Sequence, residues 1–216
     1  MTRNATPASR RTYRHGDLRR ALLDAGVELA RQGGPSAVVL REATRRAGVV
    51  PNAAYRHFAN REDLLMAVRA AALSQLAQAM EAELDRVDGD SSAADHARAS
   101  LRAVGRGYLR FARAEPGLFR TAFVSVDGPP AAPDAPDAAK AGKSGLNPFQ
   151  LLAGALDRMA EAGLLTPQRR FAAEYLAWSA VHGLAMLVID GPLRSFTPAQ
   201  MEEVGKRLLE MVEKGL

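Results

Sequence analysis

Apolar residues recur along this chain at helical spacing. From Gly16 onward Leu18, Leu22, Ala25 and Leu29 share one face, with Arg19, Arg20, Asp24 and Glu28 off it. Gly33, Gly34 and Pro35 end that helix. A second short helix is predicted at about 40–47, with Leu40, Ala43 and Ala47 inward, and Gly48 breaks it. A third begins at Pro51, where a missing N–H costs nothing. A fourth follows Asn60, a good N-cap, with Glu62 and Asp63 in its electropositive first turn. Leu64, Leu65, Val68, Ala72, Leu76 and Met80 carry it to about 86. Beyond a polar connection at 87–95 the pattern predicts a helix at 96–114 and a short one within 115–124. Residues 126–147, rich in Pro, Ala, Gly and Asp, read as a mobile surface loop. Asn147–Pro148 starts a helix with Phe149, Leu152, Leu156 and Met159 as its stripe. Another runs from Thr166–Pro167 to Gly191–Pro192. Thr197 and Gln200 form a capping-box pattern for a last helix at about 198–213. No strand pattern and no internal repeat intervene, so the expected fold class is all-α.

Charge adds a direction to this picture. Residues 1–60 carry eleven arginines, no lysine and four carboxylates, a net of +7, and the remainder carries −2. An excess so placed points to a polyanion, either nucleic acid or an anionic membrane surface. Residues 1–14 lack hydrophobic periodicity and read as a flexible basic arm, not a secretory signal. The absence of cysteine excludes disulfides and thiolate chemistry and suits a cytoplasmic protein. The apolar stretch 171–189 is nearly long enough to span a membrane, but Glu174 and His182 lie within it. It reads as a buried helix of a bundle, and no membrane partner is expected.

The order helix, short helix, turn at Gly48, short helix is the helix-turn-helix layout. At about 100° per residue, with Ala54 inward, Phe58 lies at about 40° and Pro51 at about 60° from it. Asn52 and Arg56 then point outward, at about 160° on either side, with Ala53 and Tyr55 on the flanks and His57 on the inward edge. Asn and Arg make paired hydrogen bonds to purine edges, and Ala lets the backbone approach a thymine methyl. Tyr and His tips bind phosphate oxygens.

The segments "LREATRRAGV", "AAYRHF" and "NREDLL" resemble the second helix, the recognition helix and the start of the fourth helix of the TetR family of bacterial repressors. The resemblance runs from His15 to about Val68. It implies that Arg41 and Arg45 reach phosphates or the groove edge, that Asn52, Ala53 and Arg56 face bases, and that Tyr55, His57 and Arg61 clamp the backbone. Val39 and Val50 stand where that family favours a capping Ser or Thr, which leaves open whether Arg41 or Arg45 takes over the hydroxyl's contact. "GYLRFARAEPGLFRTAF" and "WSAVHGLAMLV" resemble a subgroup whose ligand domain carries a Trp…His-Gly signature.

These resemblances imply a division into an arm at 1–14, a DNA-binding domain at 15–61 and an effector-binding and dimerisation domain at 62–216. They further imply a homodimer whose last two helices build a four-helix bundle, a palindromic operator in double-stranded DNA, and release by a small apolar or amphipathic effector. Tyr108, Phe111, Phe119, Phe123, Trp178 and His182 are the candidate ligand contacts. Each has the alternative of being plain core, His182 included. No His pair has metal-ligand spacing, and no nucleophile triad, phosphate loop or dinucleotide motif occurs, so neither a metal, a cofactor nor an enzyme is expected. Two rivals stand beside the repressor: an architectural DNA binder without effector, and a helical enzyme or lipid carrier whose arm binds membranes.

Overall fold

The computed structural model describes residues 15–89, 91–125 and 132–216. The expected arm at 1–14 lies outside them. Ten α-helices follow one another and no strand occurs among the described residues. α1 (His15–Gly33), α2 (Leu40–Arg46) and α3 (Pro51–Ala54) form the N-terminal head. α4 (Arg61–Leu84) leaves the head and runs into the C-terminal bundle. There it packs on α5 (Ala93–Ala114), α6 (Pro116–Ala122) and α7 (Pro148–Glu161). α8 (Pro167–Arg170), α9 (Ala173–Ile189) and α10 (Pro198–Gly215) complete the chain.

The caps lie where the residues called for them. The Asn60 side chain accepts from the Asp63 amide at 2.8 Å, and the Asp63 carboxylate accepts from the Ala59 amide at 3.0 Å. Both Asn147 with Gln150 and Thr197 with Gln200 form capping boxes. Gly48 has φ 68°, a left-handed turn that a side chain would strain. Leu22, Leu29, Val38, Leu40, Ala54 and Phe58 fill the head, closed by Leu64, Leu65 and Val68 of α4. That core continues without interruption into the bundle.

Four expectations need correction. α3 covers only one regular turn. Residues 55–57 continue it irregularly, with the amides of His57 and Phe58 both donating to the Ala54 carbonyl. α5 starts at Ala93, three residues early, because Ser92 caps it by accepting from the Asp95 amide. The helix expected from 167 to 190 is two helices. Ala172 adopts φ 59°, a left-handed conformation costing an alanine about 1 kcal/mol, and the chain turns there. Arg170 spans the break, paired to Glu174 at 2.7 Å and Asp157 at 2.8 Å.

The fourth concerns the loop at 126–147, of which 126–131 lie outside the described residues. The rest is tied down. The buried Glu81 carboxylate accepts from the amides of Lys143 and Ser144 and from the Ser144 hydroxyl. Ser74 donates to the Ala141 carbonyl, and Asn147 donates to those of Pro133 and Ala135. The loop lacks large apolar residues, so these polar tethers hold it instead.

Candidate functional site

In the head, Ala54 and Phe58 are buried, and the Arg19 guanidinium lies 5.3 Å from the Phe58 ring centroid. With those two residues fixed inward, Asn52 and Arg56 are exposed on the other side. Tyr55 is 57% exposed, and Ala53 and His57 are half-buried on the flanks. Asn52, Tyr55 and Arg56 are thus open to solvent, with Ala53 and His57 half-buried beside them. Val39 and Val50 are also exposed, and the N-terminus of α2 has no side-chain cap.

The basic residues around these side chains divide by what they already hold. Arg45 grips Glu42 with two hydrogen bonds, of 2.9 and 2.7 Å. Its guanidinium, helped by that of Arg46, holds the Glu42 carboxyl down to about 2. Arg61 donates to the carbonyls of Val38 at 2.9 Å and Pro35 at 2.8 Å. It staples the start of α4 to the link between α1 and α2. Arg41 is exposed and has no hydrogen bond or ion pair among the described residues.

A cavity of about 880 Å³ opens in the bundle between α4, α5, α7, α9 and α10. Its walls are mainly apolar, with Met66, Leu73, Val104, Leu152, Val181 and Leu209 prominent. Tyr108, Phe123, Trp178 and His182 all line it. Phe111 and Phe119 do not: both are buried as core. Phe119 backs the lining rings, 5.0 Å from Phe123 and 5.6 Å from His182 between centroids. Aromatic spacing in the sequence marked all these rings but could not separate the wall from what lies behind it. Phe149 and Arg69, which also line the cavity, passed in the sequence as ordinary helix positions.

The polar groups of the cavity form a directed chain. Trp178 Nε1 donates to the Tyr108 hydroxyl at 3.1 Å, and that hydroxyl lies 2.7 Å from His182 Nδ1. Burial pushes the Tyr108 phenol far above its usual range, so it stays protonated. Burial also lowers the His182 pKa, which favours neutral imidazole. With Trp178 able only to donate, the Tyr108 O–H is left to donate to Nδ1. The imidazole proton then resides on Nε2.

Besides α4 itself, α6 joins the head to the bundle. Gly117 of α6 lies so close to α1 that a Cβ there would fall 2.3 Å from the Ala30 carbonyl oxygen. Beside it Arg31 pairs with Glu115 at 2.8 Å. Among the described residues no three His, Asp or Glu side chains gather as metal ligands. None of the described helices is long and apolar enough to cross a membrane.

Residues 22–68 match the family model of bacterial regulatory proteins of the tetR family, and residues 101–212 match that of the tetracyclin repressor-like C-terminal domain. The chain belongs to the TetR family. It is a DNA-binding transcriptional regulator, and the TetR family is one of regulators rather than enzymes. The likeness to the Trp…His-Gly subgroup stays a resemblance of sequence. Among curated proteins no sequence matches. Among solved structures, a Rhodococcus sp. RHA1 protein of unknown function is 26% identical, with a TM-score of 0.73 over 96% of this chain and 99% of that one. FadR from Bacillus subtilis, in complex with stearoyl-CoA, is 14% identical, with a TM-score of 0.61 over 91% and 98%. A TetR variant from Acinetobacter baumannii AYE, in complex with minocycline, is 17% identical, with a TM-score of 0.56 over 90% and 93%.

Proposed function

We propose that this regulator is a homodimeric repressor, released from a palindromic operator when a small apolar or amphipathic molecule enters the cavity. One observation carries the reading. α4 begins at the reading head, stapled there by Arg61, and two turns of the same helix later it lines the cavity through Arg69. A ligand touching that wall touches the helix that sets the head's position. If it binds one position of α4 better than the other, it shifts the equilibrium between them. Structural neighbours in complex with stearoyl-CoA and with minocycline fit a fold that houses unlike ligands.

In this reading Asn52, Ala53 and Arg56 meet base edges, and Tyr55, His57 and Arg41 meet phosphates. The arm at 1–14 adds phosphate contacts. Residues 15–61 form the DNA-binding unit and 62–216 the effector and dimer unit. Phe171, Tyr175, Leu176 and Leu187 around α9, with Met211 of α10, are large apolar side chains left exposed, as a symmetric interface needs. Two-fold pairing there sets two heads about 34–36 Å apart, one turn of DNA. Selection of bound duplexes from a random pool, repeated with candidate ligands, tests this reading. A palindromic consensus that disappears on adding ligand is the expected result. A consensus that no ligand disturbs speaks for an architectural binder, and no consensus at all overturns the reading.

A further inference from the structure

Resting on that effector reading, and naming the chemistry it leaves open, we propose that the cavity takes an anionic amphiphile whose carboxylate is bound by Arg69. Among the described residues the Arg and Lys side chains on the cavity wall are Arg69, Arg102 and Lys140. Two are already paired with carboxylates: Arg102 with Glu213, which Arg98 shares, and Lys140 with Asp137 at 2.9 Å. Arg69 is half-buried and pairs with no carboxylate among the described residues. Its Nε donates to the Ala122 carbonyl, 3.2 Å away at the end of α6. That bond fixes the guanidinium plane. It leaves the two Nη groups as a fork, which matches the paired oxygens of a carboxylate. A half-buried cation with no carboxylate partner among the described residues is costly, and an entering anion relieves that cost.

The other polar groups agree with one negative charge. Glu62, the carboxylate among the described lining residues, is exposed and lies about 10 Å along α4 from Arg69. It belongs to the helix's positive first turn and does not neutralise Arg69. A dianionic phosphate would call for more than one free cation. Tyr108 and His182, both neutral, suit an uncharged polar group instead. The remaining walls are apolar, and about 880 Å³ is ample for a drug-sized apolar body. Arg69 and His182 bracket the end of α6: Arg69 holds Ala122, and the Phe123 ring lies 4.9 Å from that of His182. A ligand that satisfies Arg69 therefore sits at the joint between α4 and α6.

The chain has one tryptophan, Trp178, and it lines the cavity, so its fluorescence reports occupancy without DNA. Dodecanoate and 1-dodecanol are the probes, identical but for the head group. Wild type is expected to bind dodecanoate roughly tenfold or more tightly than the alcohol, the worth of one charge-assisted bond. Arg69→Gln keeps a donor for Ala122 and should lose that preference while still binding the alcohol. Arg69→Lys should keep part of it. Equal affinity of the two probes in wild type, no response to either, or an Arg69→Gln protein that still prefers the acid overturns the proposal. Release from DNA is measured separately. If uncharged molecules release the wild-type protein and carboxylates bind no better, the effector reading stands and the role of Arg69 falls. Should Arg69→Gln unfold, the wild-type comparison decides alone.

Discussion

Asn52 and Arg56 owe their outward direction to two inward neighbours, Ala54 and Phe58, so their side chains are free for a partner. Replacing either with Ala should relax base preference at particular operator positions, costing about 1–3 kcal/mol for each bidentate base pairing removed. Arg41 has no partner among the described residues where Arg45 is held by Glu42, so Arg41→Ala should weaken all sequences alike and lower the salt slope by about 0.9. Binding to a panel of single-base operator variants at several salt concentrations separates the two effects. His182 offers a second test at this scale. Its folded pKa lies below the ordinary 6.5, so the unfolded chain takes up the proton first as pH falls. Stability from this residue is therefore whole above about pH 6.5 and declines below it, until the folded pKa is passed. His182→Gln can still accept from Tyr108 and should flatten that part of a plot of Tm against pH. An unchanged slope would assign the acid sensitivity elsewhere.

Among the elements, those written in local chemistry were legible and those depending on distant partners were not. Asn60, Asn147 and Thr197 announce helix starts because a cap is satisfied within three or four residues. The exposure of Asn52 beside the buried Ala54 follows from helical spacing, whereas residues 55–57 leave the regular helix, and spacing alone does not place them. The break at Ala172 was not legible, because alanine is a helix former and only tertiary packing drives it into a left-handed turn. The anchoring of 132–147 was hidden as well: its acceptor, Glu81, lies some sixty residues earlier on α4. Phe111 and Phe123 look alike in sequence, and only packing decides which of them meets the cavity. Gly117 shows how closely two elements are joined. Gly117→Ala would press a methyl onto the backbone carbonyls of Ala30 and Arg31, so α1 and α6 must part. A loss of about 1–3 kcal/mol is expected in denaturant unfolding. DNA binding should respond less to ligand, although Trp178 fluorescence shows the cavity filling as before.

At the scale of the molecule, the basic excess lies in the N-terminal quarter, while Phe171, Tyr175, Leu176 and Leu187 at and on α9, with Met211 of α10, are exposed apolar side chains near the other end of the chain. The two ends suit different partners, DNA at one and a second copy at the other. Leu176 is 63% exposed on α9, so a change there should leave the fold intact. Leu176→Asp is expected to yield monomers in sedimentation and to lose most operator affinity, with helix content preserved. A variant that stays dimeric would place the interface elsewhere.

The uninterrupted core has a consequence for how this chain can be cut and recombined. Leu64, Leu65 and Val68 close the head, yet they belong to the helix that enters the bundle. A fragment ending at residue 61 would expose the underside of Leu22 and Phe58 and should not fold. The intact chain should melt in one cooperative transition. Chimaeras that graft this head onto another bundle are expected to work only if α4 travels with it, with the crossover placed in the polar link between Asp85 and Ser92. Chimaeras joined at Asn60 would pair two half-cores that never packed together, and they should be recovered as aggregates.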